Sequence, residues 1–255
     1  MVVATTFRGG NHAVTVGADD SAFNISHRAT LAITQAQFTS SATTVNVAGR
    51  DTLSFNSTFP SGSHLVVDLG PHARLSAVFN MVFGGLDVNG GRGTALINDQ
   101  SDSLQGVQAV ITPDVLGIGS FHIGNAQGVA GFLEFGHFVS RGQAVSVSGD
   151  PGRGLAGTVQ IDKPREFHGS LVMQPKAEVD LVGLAKADSY TFENDMLKVF
   201  SGNHLIDRLR LTNDGAFIGQ PHDLVVSRSG SGDVWLTQAG LTSPPPGSTT
   251  LPLHG

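Results

Sequence analysis

Short apolar strands recur at nearly even spacing along this chain, with glycine, proline or aspartate between them. The pattern is clearest in residues 155–236, which read LAGTVQIDKPREFHGSLVMQPKAEVDLVGLAKADSYTF, then NDMLKVFSGNHLIDRLRL, then DLVVSRSGSGDVWL. Candidate strands begin about every 9 to 13 residues, the spacing expected of an all-β sandwich, barrel or solenoid. Glycine at 33 residues and charged residues at only 14% favour many tight turns over solvated helix faces. The chain is therefore predicted to be all-β.

The connections between the candidate strands favour a solenoid. Two-residue hairpin turns are rare, and Asn89-Gly90 is the clear case. Most connections carry a lone glycine or a short polar corner, as in Gly49-Arg50-Asp51, Gly70-Pro71-His72 and Gly183-Leu184. Alternating segments such as 44–47 and 158–161 would place one apolar row inward. The sequence predicts a right-handed parallel β-helix (β-solenoid) forming a single elongated domain, with coils of roughly 20 to 25 residues.

Phenylalanine dominates the aromatic residues, with 15 copies against one Trp and one Tyr. Rings offset from coil to coil would stack in the interior of a solenoid. The densest group, expected to form such a stack, comprises Phe121, Phe132, Phe135 and Phe138. A β-sandwich core would also use these rings and is the alternative architecture.

The chain divides into three predicted segments. Residues 1–154 are expected to form solenoid coils, and residues 155–236 a C-terminal solenoid module of the same rod, because no Pro/Ser-rich linker separates them. Residues 237–255 contain Ser243-Pro244-Pro245-Pro246 without apolar alternation, which predicts an extended or disordered tail.

Composition and charge argue against several classes of function. The net charge is −6 and no lysine precedes Lys163, so no basic stripe is available for nucleic acid. The sequence contains no run of about 18 apolar residues, the length that would predict a membrane span. The first residues lack the features of a cleaved signal, so either export uses another route or the sequence begins after such a segment. The absence of cysteine rules out disulfides, thiolate metal sites and thiol nucleophiles.

Motifs that carry chemistry are incomplete. Residues 152–157 match G-x-G-x-x-G but are followed by a predicted strand, whereas a dinucleotide site needs a helix there. Residues 90–93 are similar to the start of a calcium-binding β-roll turn, but Ala95 stands where an aspartate is needed. Glu166 and His168 would share one side of a strand, and no further ligand accompanies them. G-x-S-x-G is absent.

Three pairs of acidic residues are candidates for acid/base or lyase chemistry, namely Asp19 with Asp20, Asp99 with Asp102, and Glu193 with Asp195. Each pair lies at a predicted turn, where Asp is common because it hydrogen-bonds the backbone. The sequence accordingly assigns no catalytic, cofactor-binding or metal-binding residue, and no cofactor.

The segment 155–236 resembles the C-terminal part of large glycine-rich β-solenoid proteins that Gram-negative bacteria secrete or display, such as autotransporter passengers and adhesins. The matching residues are Phe167, Gly169, Leu171, Glu178, Val179, Asp180, Leu181, Gly183, Leu184, Leu197, Val199, Leu209, Leu211 and the closing segment 230–235. The chain departs from the pattern at Glu178, where Asp is usual, and at the charged strand LIDRLRL. The resemblance implies a fold and an extracellular or cell-surface location, and transfers no catalytic residue.

These observations lead to two functional hypotheses. The first is a non-enzymatic structural or adhesive protein of the bacterial surface or of an extracellular biofilm matrix, which could stack end to end into filaments because solenoid ends recruit other chains. The second is a carbohydrate-active β-helix, either a polysaccharide lyase or hydrolase or a glycan-binding module. A polysaccharide or a surface is the expected external partner, and nucleic acid is not.

Overall fold

A computed structural model describes residues 3–14, 20–37, 42–47, 52–58, 63–91, 93–150, 152–212, 224–238 and 244–254. These residues form 21 β-strands and one 3-10 turn at Pro164–Glu166. Within the described ranges, no helix has the length and apolar character needed to cross a bilayer. The all-β prediction is confirmed.

The strands follow one another along the chain at short intervals. The first eleven are β1 (Val3–Val14), β2 (Asp20–Gln37), β3 (Ala42–Val47), β4 (Thr52–Thr58), β5 (Ser63–Leu69), β6 (Arg74–Gly90), β7 (Ala95–Ile97), β8 (Ser101–Ile111), β9 (Asp114–Leu116), β10 (Ser120–Gly124) and β11 (Phe132–Phe135). The others are β12 (Ala144–Val147), β13 (Gly157–Ile161), β14 (Ser170–Met173), β15 (Ala177–Leu181), β16 (Ser189–Glu193), β17 (Met196–Ser201), β18 (His204–Thr212), β19 (Leu224–Arg228), β20 (Val234–Gln238) and β21 (Thr249–Thr250).

Strands of successive coils pair in parallel and build a continuous ladder along the rod. Each residue of one inward row lies beside its partner in the next coil, in the order Val45, Val67, Val88, Ile111, Phe135, Ile161 and Leu181. Successive partners in this row are separated along the sequence by about one predicted coil length. The parallel β-solenoid is confirmed.

Each coil turns through several faces. The long strand β6 pairs through its first residues with β7, and through two later stretches with the two halves of β8. Gly84 begins the second of these later stretches at a φ of +112°, and a Cβ at that position would overlap the carbonyl oxygen of Ser63. The corner therefore requires glycine.

The core is the interior of the coils. Phe121 and Phe135 are fully buried, with ring centroids 5.5 Å apart and an edge-to-face angle of 73°. Phe135 also contacts the buried ring of Phe167, with the centroids 5.9 Å apart. The prediction of an interior stack is confirmed for these residues and wrong for Phe132 and Phe138, which are half-exposed because strand alternation turns Phe132 outward.

Antiparallel strands cover the C-terminal end of the rod. β16, β17 and β18 form an antiparallel meander, and the last residues of β18 return to pair in parallel with β14. β20 pairs antiparallel with β15 and with β19. The predicted C-terminal module thus contains parallel strands up to Leu181. The strands after Leu181 are mainly antiparallel and cover the C-terminal end of the rod.

The segment 244–254 lies against this antiparallel part. β21 pairs with β19, and Leu253 forms a parallel bridge to Tyr190 of β16. Leu251 is buried and its N–H donates to the carbonyl of Val226 over 2.8 Å. These contacts occupy strand edges that would otherwise recruit other chains.

Candidate functional site

A groove of about 240 Å³ lies beside the last parallel coils. It exists because only the final residues of β18, 210–212, pair with β14, so the first half of β18 projects across the turn at 164–168. The residues that line it are Arg165, Phe167, His168, Leu205, Ile206, Asp207 and Arg208.

The short 3-10 turn places Arg165 at the rim of the groove. Pro164 occupies an initial position of the turn, where its fixed φ suits a helical start and its missing N–H is not needed. Arg165 Nε donates to the carbonyl of Ile206 over 2.9 Å, which ties the turn to β18. Phe167, which follows the turn directly, is buried in the core. The guanidinium is therefore held in place while its side chain remains exposed.

A buried carboxylate forms the floor of the groove. Asp207 is 6% exposed, and its Oδ2 has no hydrogen-bond partner among the described residues. Burial raises the pKa of Asp207 to about 6, opposed by the N–H of Arg208 and the charge of Arg165. Because Oδ2 is itself buried, Asp207 lies beneath the surface of the groove and presents no exposed acceptor through that atom.

Basic side chains continue from the groove onto the outer face of β17 and β18. Lys198 lies directly opposite Arg208 in this antiparallel pair, and Arg210 follows two residues later on the same face. Like charges placed directly opposite each other destabilise a sheet. The two ion pairs among the described residues, His64 with Asp87 and Arg153 with Asp150, involve none of these groups. We call Arg165, Lys198, Arg208 and Arg210 the basic strip.

The exposed groups of the groove can bind a planar anion. Among the described residues that line it, Asp207 is the one carboxyl group, whereas glycoside hydrolysis ordinarily uses two carboxyl groups that flank the bond. Guanidinium groups pair with planar anions through two parallel hydrogen bonds. Leu205, which is 50% exposed, adds an apolar surface at the rim.

A second feature is an acidic row on the outer face of the rod. Glu134, Gln160 and Asp180 lie side by side on β11, β13 and β15, with Asp162 and Asp233 nearby. Burial, followed by the charges of Asp233 and Asp162, raises the pKa of Asp180 to about 7. Among the described residues, no group of three or more His, Cys, Asp or Glu side chains is arranged to hold a metal ion.

The acidic pairs predicted from the sequence do not form sites where the structure describes them. Asp99 accepts a hydrogen bond from the N–H of Ile118 at an exposed corner, as expected of a turn residue. Its sequence neighbour Asp102 is instead buried in the core. Glu193 ends β16, and Asp195 lies in the turn between β16 and β17. The side chains of Asp19 and Asp20 lie outside the described residues.

The glycine motifs are structural where they are described. Gly157 begins strand β13, which confirms that a strand and not a helix follows residues 152–157. Gly93 lies in a turn at φ +86°, two residues before β7. Glu166 and His168 were expected to share one side of a strand, and this is wrong because Glu166 ends the 3-10 turn. Only His168 lines the groove.

One Ser, His and Asp constellation arises that the sequence did not indicate, because its histidine comes from the far end of the chain. Ser189 Oγ lies 3.1 Å from His254 Nδ1 and donates to Asp188 Oδ1 over 2.9 Å. The carboxylate competes with the imidazole for the single hydroxyl proton, and Ser189 is only 8% exposed. His254 stacks on Phe200 with the centroids 4.2 Å apart. The arrangement fastens the segment 244–254 and does not activate a nucleophile.

Comparison with family models, with curated proteins and with solved structures gave no match.

Proposed function

We propose that this protein is a non-enzymatic structural or adhesive protein of a bacterial surface or extracellular matrix, in which the rod carries a groove that holds a polysaccharide. The observation that carries the proposal is the groove itself. It combines two arginines and His168 with an apolar rim at Leu205. Such a mixture of hydrogen-bonding groups and apolar surface suits a sugar ring, which presents hydroxyl groups at its edge and C–H groups on its faces.

The size of the groove supports a small contact with a longer chain. Pockets for drug-sized ligands measure roughly 300 to 1,000 Å³, and the groove, at about 240 Å³, is smaller. One or two sugar units fit a volume of this order, and the rest of a polymer would run along the outer faces. Repeated weak contacts of this kind give avidity when many copies of the protein act together.

Self-association end to end is part of the proposal, with one structural condition. β20 covers β15, so stacking at the C-terminal end would have to displace a paired strand. Association would therefore use the other end of the rod. Negative-stain microscopy that finds only short monodisperse particles at high concentration would contradict the proposed self-association.

Retention of the purified protein on a panel of immobilised polysaccharides tests the central claim. Reducing-end and unsaturated-product assays on the same polymers are run in parallel. We expect retention on at least one polymer and no product. Product formation would instead support the second candidate, a carbohydrate-cleaving enzyme, which the acidic row and the groove arginines favour. Failure to bind any polymer, with the fold intact by circular dichroism, would contradict a glycan-binding role.

A further inference from the structure

We infer that the groove and the basic strip bind an acidic polysaccharide, with a uronate carboxylate on Arg165 and Arg208. This inference rests on the proposed function, because it concerns the same groove. It adds the chemical class of the sugar and a role for each of the two guanidinium groups.

The first argument is the unbalanced charge. The chain as a whole is acidic, at −6, yet four of its 15 basic residues make up the basic strip. Lys198 and Arg208 are directly opposed in the β17 and β18 pair and neither forms an ion pair with a described carboxylate. Such an arrangement costs stability in the free protein. An anionic ligand lying across the strip would relieve that repulsion.

The second argument is the geometry of the two arginines. Arg165 uses Nε to hold the carbonyl of Ile206, so its orientation is fixed by the backbone of the strand that carries Arg208. Both residues line the same groove, and both are exposed. A planar carboxylate matches the fork of a guanidinium through two hydrogen bonds, each stronger than a neutral one because it is charge-assisted.

The third argument is the position of the carboxyl group that precedes Arg208 in the chain. Asp207 is buried, and its side chain lies on the opposite face of β18 from that of Arg208, because side chains alternate along a strand. Its Oδ2 is also buried and has no partner among the described residues. Asp207 therefore does not neutralise Arg208 on the outer face, and the charge of Arg208 is available to a ligand carboxylate.

The experiment measures binding of polygalacturonate, of uncharged dextran and of a sulfated dextran by the whole chain. The variants are Arg165→Gln, Arg208→Gln, Arg208→Lys and Lys198→Gln. Arg74→Gln is the matched control, because Arg74 is an exposed arginine on β6, four coils before Phe167 and so roughly 19 Å away at ~4.8 Å per coil. Thermal unfolding of each variant monitors the fold.

We expect polygalacturonate to bind and dextran not to bind. Arg165→Gln and Arg208→Gln should each weaken polygalacturonate binding about 10-fold or more, since each removes charge-assisted hydrogen bonds. Arg208→Lys, which keeps the charge but loses the fork, should give an intermediate loss, and Arg74→Gln a change of less than about twofold. If a groove variant fails to fold, the effect of Lys198→Gln on polygalacturonate binding tests the basic strip instead.

Three results would overturn the inference, and each has a different consequence for the proposed function. Equal binding of dextran and polygalacturonate would keep a glycan-binding protein and reject the acidic class. Equal binding of the sulfated polymer, unchanged by Arg208→Lys, would reject carboxylate recognition in favour of general charge attraction. No binding of any of the three polymers would reject the proposed function together with the inference.

Discussion

The carboxylate of Asp102 accepts a 2.7 Å hydrogen bond from the backbone N–H of Phe79 inside the apolar core. Asp102 has no exposed surface, and its Oδ2 finds no hydrogen-bond partner in the part of the chain that the structure describes. In the ladder it stands beside Phe121, so an ionisable group interrupts a row of aromatic and aliphatic side chains. Burial raises the pKa of Asp102 to about 7, opposed by the hydrogen bond from Phe79.

The first prediction is that the protein loses stability as the pH rises from about 4 to about 7. The folded state keeps a proton on Asp102 through this window, whereas the unfolded chain loses it near pH 3.8. Stability is therefore greatest below the unfolded pKa and is lost as the pH rises through the folded value. Asp180, at about 7, and Asp207, at about 6, act in the same direction. Urea unfolding at pH 5 and pH 8 measures the effect.

The variant Asp102→Asn isolates the contribution of this one group. Asparagine keeps the acceptor for the N–H of Phe79 and has no charge to bury, so the variant should be more stable than the parent at pH 8 by about 2 to 4 kcal/mol. At pH 5 the two proteins should differ much less. A pH dependence unchanged by the substitution would show that Asp102 does not titrate in this range.

The second prediction concerns two phenylalanines on the same strand. Phe135→Ala should cost about 3 to 5 kcal/mol of unfolding free energy, because a fully buried ring is removed from between Phe121 and Phe167. Phe132→Ala is the matched control and should cost about 1 kcal/mol or less, since this ring is half-exposed on the outer face. Equal losses in the two variants would mean that the inward and outward faces of β11 are reversed. Denaturant unfolding provides the measurement.

The third prediction is that the segment 244–254 protects strand edges. Deletion of residues 244–255 uncovers the edge of β19 and the edge of β16 near Tyr190. The shortened protein should associate in a concentration-dependent way in sedimentation velocity, because unpaired edges recruit other strands. Leu253→Ala, at a side chain that is 59% exposed, should leave the association state unchanged. A monodisperse deletion variant would contradict an edge-protecting role.

The fourth prediction compares two glycines at positive φ. Gly84→Ala should cost more than about 2 kcal/mol, because the new methyl group overlaps the backbone of Ser63 in addition to the strained φ of +112°. Gly202→Ala, at φ +55° and with no heavy atom near the new Cβ, should cost about 1 kcal/mol. Chemical denaturation distinguishes the two, and a smaller loss at Gly84 would mean that the corner can rearrange.

Alternation and spacing within the sequence are sufficient to predict the solenoid. Segments such as 158–161 fix which side chains face inward, and the even spacing of glycine corners fixes the coil. Local patterns of this kind extend over only a few residues, and the burial of Phe167 and Leu181 follows from them. The antiparallel end is not predicted, because its hairpin turns on Asn194-Asp195, both at positive φ, and not on a recognisable Asn-Gly pair.

The groove could not be predicted, because its parts come together only after the chain has folded. Arg165 and Asp207 are far apart in the sequence, and a detour through β16 and β17 separates them. The same holds for Asn98 and Gln143, two buried amides from distant coils that hydrogen-bond over 3.1 Å. The sequence predicts a turn position for Asp102 and not a buried one. A single aspartate near a predicted turn gives no indication of its burial.

The return of β18 to the ladder has a consequence for how such a protein can diversify. Ser146 pairs with Val172 after one ordinary coil, whereas Val172 pairs with Thr212 only after the chain has also formed β16 and β17. The excursion between them adds a wall to the groove without changing the register of the coils on either side. Insertions, deletions or substitutions in residues 189–208 would therefore reshape the groove, while the parallel coils beneath it keep their pairing.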